Sequence, residues 1–111
     1  MTNGKFVISL DFELMWGVRV KKDKTNYGEH IKGVHNVIPR LLVIFNKYKI
    51  KATFSTVGLL FFESKKELLS NLPDLKPQYN DPNLSPYNGY FDILENDYKM
   101  DIYHFAPNLI K

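Results

Sequence analysis

The sequence predicts an α/β fold built on one βαβ unit, and three observations predict it: β-rich runs at residues 6–11 and 51–57, and an amphipathic stripe between them. In the first run Phe6, Val7, Ile8 and Leu10 follow no helical period, which fits a strand covered on both faces of a parallel sheet. It ends abruptly in two acids, Asp11 and Glu13. Carboxyl ends of parallel strands are where α/β folds place ligands and catalysis, because loops there vary without disturbing the sheet. Spaced i and i+2, both carboxylates point to one face of an extended chain and can address one ion or one water. The same pattern also describes an ordinary strand end with solvated acids.

After Trp16 and Gly17, the polar stretch from Arg19 to Gly33 has no period and reads as a long βα loop, a kind of loop that is often functional. Val34, Val37, Ile38, Leu41, Leu42, Phe45 and Tyr48 then follow helical spacing and predict a helix over residues 37–48. With Asn36 as its N-cap, Pro39 falls in the first turn, where its missing N–H has no intrahelical partner to lose. Lys47 and Lys49 sit in the last turn, where cations oppose the partial negative charge of the helix end. Residues 50–57 return to β-rich composition and stop at Gly58. A connection this long, carrying a helix, makes the two strands parallel with a right-handed crossover.

Ser64-Lys-Lys-Glu67 is a capping-box pattern for a short helix through Leu72, stopped by Pro73. From Pro73 to Lys99 the chain alternates Pro, Asn and Tyr and reads as an irregular excursion. Its tyrosines suit pinning to the body by buried rings better than a wall for a sugar. Asn83-Leu84-Ser85 matches a glycosylation sequon by coincidence, since proline follows it and no secretory signal precedes it. His104 to Lys111 starts a further helix with Pro107 in the first turn.

At 111 residues with 44% hydrophobic and 24% charged, the composition is that of one globular domain. The net charge of +3 is scattered, and its densest run, Arg19, Lys21, Lys22 and Lys24, reads as a solvated loop and not as a nucleic-acid surface. The absence of cysteine removes disulfides and thiolate metal sites. The first apolar run is too short for a signal-peptide core or a membrane span, so a cytoplasmic location is expected. No phosphate-binding glycine loop and no Gly-x-Ser-x-Gly elbow occurs. His30 and His35 are five apart, roughly 140° around a helix, which does not make a metal pair. His104 is solitary among aromatics, where a packed or surface imidazole is the usual fate.

Asp11-Phe12-Glu13 after a strand, with Lys51-Ala52-Thr53-Phe54-Ser55-Thr56-Val57-Gly58 as the next, resembles the opening of the polysaccharide deacetylase (NodB-homology) family. There the first motif usually reads Thr-Phe-Asp-Asp-Gly, and the second strand follows a helix ending in Lys-Tyr-Gly. The corresponding segments here are Ser9-Leu10-Asp11-Phe12-Glu13 and Lys47-Tyr48-Lys49. Residues 5–58 carry the resemblance. The chain also resembles a subgroup with a Leu-Met-Trp-Gly tail on the first motif, here Leu14-Met15-Trp16-Gly17, and a long Pro-, Asn- and Tyr-rich insertion before the second metal motif, which accounts for residues 59–111.

The resemblance implies a partial distorted (β/α) barrel of the deacetylase type, acting on N-acetylated polysaccharide or oligosaccharide with a divalent metal, usually Zn²⁺. It implies Asp11 as general base. Phe12 stands where the family places its metal carboxylate, so that role passes to Glu13. The family's His-Ser/Thr-x-x-His motif is absent from these 111 residues. Catalytic zinc needs about three protein ligands, so the chain is expected to be an inactive N-terminal portion that binds no metal tightly by itself. Residues 1–111 then form one incomplete domain: a βαβ part over 1–62, and over 63–111 a helix, the insertion and the start of another helix. The competing expectation is a small non-catalytic α/β module that binds a carbohydrate or protein partner. By the resemblance, Lys49 takes the left-handed backbone conformation that relatives give to glycine.

Overall fold

The computed structural model describes residues 3–111. Strands β1 (Ser9–Phe12) and β2 (Thr53–Thr56) pair in parallel, Ser9 opposite Thr53 and Phe12 opposite Thr56. The sheet is open, with two strands among the described residues. β1 is shorter and barer than its apolar run suggests, since Phe6 and Val7 precede the ladder and are 91% and 76% exposed. Side chains alternate across a strand, and here Leu10, Phe12, Phe54 and Thr56 are buried or half-buried while Ser9, Asp11, Thr53 and Ser55 are exposed. Burial on both faces is therefore corrected to burial on one. An apolar run reports two covered faces only where a layer lies on each side, and the second face here is polar and open.

The main correction concerns the crossover. Residues 24–33 are helical, and α2 runs over Lys24–Lys47, 24 residues and ~36 Å long. Its N-cap is Asp23, so Asn36 lies inside the helix. The Asp23 carboxylate accepts from the Thr25 and Asn26 amides at 2.8 and 3.1 Å, and Asn26 Oδ1 accepts from the Asp23 amide at 3.0 Å. This reciprocal cap satisfies free donors of the first turn. Behind it Tyr27, Ile31, Val34, Ile38, Leu41 and Phe45 continue one stripe at alternating spacings of four and three. Pro39 sits exposed in the helix interior and has no N–H to offer the His35 carbonyl, a loss tolerated because neighbouring Ile38 is buried in the core.

At the far end the Lys49 amide donates to the Asn46 carbonyl (3.2 Å) and the Ile50 amide to the Phe45 carbonyl (2.8 Å). That pair of bonds is the Schellman pattern, which requires a left-handed residue after the cap. Lys49 supplies it with φ 55°.

Ahead of α2, the short helix α1 (Met15–Val18) follows β1 directly. A 3₁₀ turn at Gly58–Phe61 buries Leu60, and α3 (Lys65–Ser70) ends two residues before Leu72. Ser64 Oγ caps α3 by accepting from the Glu67 amide at 3.1 Å, while the Glu67 carboxylate reaches past Ser64 to the Glu63 amide at 2.8 Å. Residues 73–106 run irregularly through 3₁₀ turns at Pro82–Leu84 and Tyr90–Ile93 and one antiparallel bridge, Ser64 to Asp97. α4 (Pro107–Ile110) starts on its proline. The most deeply buried side chains are Met15, Leu60, Leu68, Asp101, His104 and Phe105, so the core is centred on α1, the Gly58–Phe61 turn, α3 and the excursion, and Phe12 of β1 and Ile31 and Ile38 of α2 join it. The molecule is elongated, 52 × 32 × 28 Å, with a radius of gyration of 16.3 Å against about 13 Å for a compact chain of this size. Among the described residues no helix is long and apolar enough to cross a membrane.

A lysine in the left-handed region costs about 1 kcal/mol that glycine avoids, partly offset by glycine's larger unfolded-state entropy. Lys49→Gly is therefore expected to raise stability by about 0.5–1 kcal/mol in urea unfolding, whereas Lys49→Val should lower it.

Candidate functional site

Asp11 is exposed near the end of β1, and Glu13 follows just beyond the strand. Between Glu13 and α1 stands Leu14, buried and with φ 51° and ψ −136°, a conformation costing about 1–3 kcal/mol in a non-glycine residue. This kink turns the chain into α1. The Trp16 amide then donates to the Glu13 carbonyl at 3.2 Å, and the Met15 amide to the Tyr103 carbonyl at 3.0 Å. The Glu13 carboxylate folds back over Gly17, where a β-carbon would overlap it. Gly17 is thus the residue that lets Glu13 lie there.

Asp11 and Glu13 line one cleft of about 200 Å³, closed on its far side by Tyr27, His30, Ile31 and Val34 of α2. His30 reaches this cleft because α2 starts early, and its ring stacks on Tyr27 with centroids 4.7 Å apart. His35 points elsewhere, its Nε2 lying 2.7 Å from the Ile102 carbonyl oxygen. Among the described residues no three His, Asp or Glu side chains come together closely enough to hold a metal. A catalytic zinc site takes about three protein ligands.

A second constellation was not anticipated as one. Asp101 and His104, both 0% exposed, are joined where His104 Nδ1 donates to the two Asp101 carboxylate oxygens at 2.9 and 3.0 Å. A carboxylate only accepts, so a proton sits on Nδ1. Tyr90 Oη lies 2.8 Å from Nε2 and is hydrogen-bonded to it. Asp101 also accepts from the Glu95 amide at 3.1 Å, and Trp16 Nε1 donates to the His104 carbonyl at 2.8 Å. The Trp16 ring meets Tyr90, Phe91 and His104 at 5.6, 6.0 and 5.1 Å. Three tyrosines of the excursion pin it, Tyr87, Tyr90 and Tyr98 packing on the core, while Tyr79 is exposed. Of the packed and surface fates left open for His104, the packed one is found. The signal for its partner was Asp-x-x-His, one turn of spacing between Asp101 and His104.

Burial by itself would push Asp101 up, but the bond and charge of His104, the Glu95 amide and the charge of Lys24 outweigh it and hold the carboxyl below its usual range. Burial pushes the Tyr90 phenol up to about 12, against the opposing charge of Arg19. Arg19 lies over the Tyr90 ring at 5.3 Å and donates to the carbonyls of Asn83 and Leu84. No protein-family model, curated protein or solved structure matches this chain.

Removing one member of a buried pair strands the other, so Asp101→Ala is expected to cost about 3–5 kcal/mol in urea unfolding. A folded carboxyl below its unfolded value gives stability that is whole above pH ~4 and is lost as pH falls through the lowered value. Tyr90 works in the opposite direction: its raised value gives stability that is whole below pH ~10 and is lost as pH rises toward about 12. Tyr90→Phe should flatten that alkaline slope and lower stability at pH 7 by about 1–2 kcal/mol.

Proposed function

We propose that the chain is the first βαβ unit of a carbohydrate deacetylase of the distorted (β/α)-barrel type. In this reading it contributes Asp11 as the base that removes a proton from the water attacking an N-acetyl group. The observation that carries the reading is the sheet. Its α2-covered face is apolar, its open face is Ser9, Asp11, Thr53 and Ser55, and Asp11 stands at the carboxyl end over a cleft shared with Glu13. A helix-covered outer face with a carboxylate at the strand end is how a barrel positions catalytic groups. The Leu14 kink and the bare Gly17 hold Glu13 beside the same cleft. Glu13 is the carboxylate the resemblance gives to a divalent ion, which in the family is also held by histidines of a His-Ser/Thr-x-x-His motif absent from these 111 residues. These residues by themselves are therefore expected to release no acetate.

The test is titration of the chain with an N-acetylglucosamine tetramer and with its de-N-acetylated form, followed by amide shifts. The acetylated sugar should perturb Asp11, Glu13 and Gly17, and Asp11→Ala should weaken this at least fivefold. Equal response to both sugars, or acetate release by these residues alone that persists in Asp11→Asn, would overturn the proposal. In a protein that unites this unit with a His-Ser/Thr-x-x-His segment, Asp11→Asn should abolish acetate release with metal affinity kept, whereas Glu13→Gln should lower metal affinity first.

A further inference from the structure

On the far side of α1 from Glu13 lies a cleft of about 320 Å³. Met15, Ile93, Tyr90 and His104 line its body, and Arg19, Lys22 and Lys24 join them in the lining. The charge balance of this cleft is one-sided. The sole acid among its lining residues, Asp23, is occupied in capping α2, where it accepts from two amides. Among the described residues none of the three cations forms an ion pair. Each rests on an aromatic face instead: Arg19 on Tyr90 at 5.3 Å, Lys22 on Tyr27 at 5.7 Å and Lys24 on Tyr103 at 5.0 Å. An aromatic face attracts the charge and leaves N–H donors available. Arg19 uses its guanidinium on the Asn83 and Leu84 carbonyls and still has further donors to give.

The fourth polar group is Tyr90. Its hydroxyl is held by His104, which Asp101 orients from full burial, so the phenol has one fixed position at the edge of the cleft. Carbon walls bordered by three cationic side chains describe a small-molecule pocket near the lower end of the usual size range. We propose that this cleft binds a small organic oxyanion, a carboxylate or phosphate on a body about one ring in size, with Arg19, Lys22 and Lys24 taking the charge. The site is separate from the Asp11 cleft and independent of the activity proposed for it.

Trp16, the single tryptophan, lies 5.6 Å from Tyr90 and reports on binding by fluorescence. The probes are benzoate and phenyl phosphate, which distinguish carboxylate from phosphate, with benzamide as the uncharged control and amide shifts as a second readout. Saturable binding is expected for at least one anion, at least tenfold tighter than for benzamide. The double variant Lys22→Gln/Lys24→Gln should weaken it at least fivefold, while Lys5→Gln/Lys51→Gln, with the same change in net charge, should alter it less than twofold. Benzamide binding as tightly as benzoate, equal losses in the two double variants, or no saturable response to either anion would each overturn the proposal.

Discussion

A carboxylate and an imidazole sealed from water hold the body of this protein together. Taking Asp101 and His104 out of solvent is unfavourable unless every polar atom finds a partner. Here each does: the carboxylate accepts from His104 Nδ1 and from the Glu95 amide, and Nε2 is paired with the Tyr90 hydroxyl. No buried side-chain nitrogen or oxygen among the described residues lacks a partner. The His104 carbonyl in turn receives the Trp16 indole N–H, which ties α1 to a segment 88 positions away. A proline- and asparagine-rich stretch with little regular hydrogen bonding thereby acquires one conformation.

The same network explains why the two carboxylates near β1 lie where they do. α1 is fixed by Trp16 and by the Met15 amide on the Tyr103 carbonyl. With α1 anchored, the four residues from the ladder to the helix must turn sharply, and Leu14 absorbs that turn in an unfavourable backbone region. Met15 and Leu14 are buried on the inside of the bend, while Asp11 and Glu13 are left outside it. The position of the acids is thus set by packing remote from them.

The parallel pair, the helix end at Lys49 and the α4 start at Pro107 were legible, because each follows from a local signal: an apolar run, a cap geometry, a proline at the first helical position. The first half of α2 was not. From Lys24 to Gly33 it offers about one apolar residue per turn, Tyr27 and then Ile31, among lysines, a glutamate and two glycines, and at Gly28 a β-carbon would lie tight against the Tyr103 ring, 3.3 Å away. An aspartate paired with an asparagine three residues later is a weaker capping signature than Ser with Glu. Asn36 ahead of Pro39 imitated a start because asparagine and proline favour the first turn of a helix on local grounds alone. Of the sites, Asp11 and Glu13 stand out in the sequence as acids ending an apolar run. Asp101, His104 and Tyr90 do not, since their meeting depends on the path of an irregular chain.

The uneven cover on α2 has a kinetic consequence. Its first half is clamped by Ile31 and Ile38 against the core, but Val37, Leu42, Val43 and Ile44 are each about half or more exposed. Helical stability in proteins comes mainly from a packed face, so the protective free energy along this one helix is graded. Amides from Tyr27 to Ile38 share the cooperative opening of the Trp16–His104 body, whereas those from Leu42 to Tyr48, together with the two-stranded ladder, open in a smaller event. Solvent hydrogen exchange then sees two units of different lifetime within a single continuous helix, with the boundary near Pro39, where one rung of the ladder is already missing.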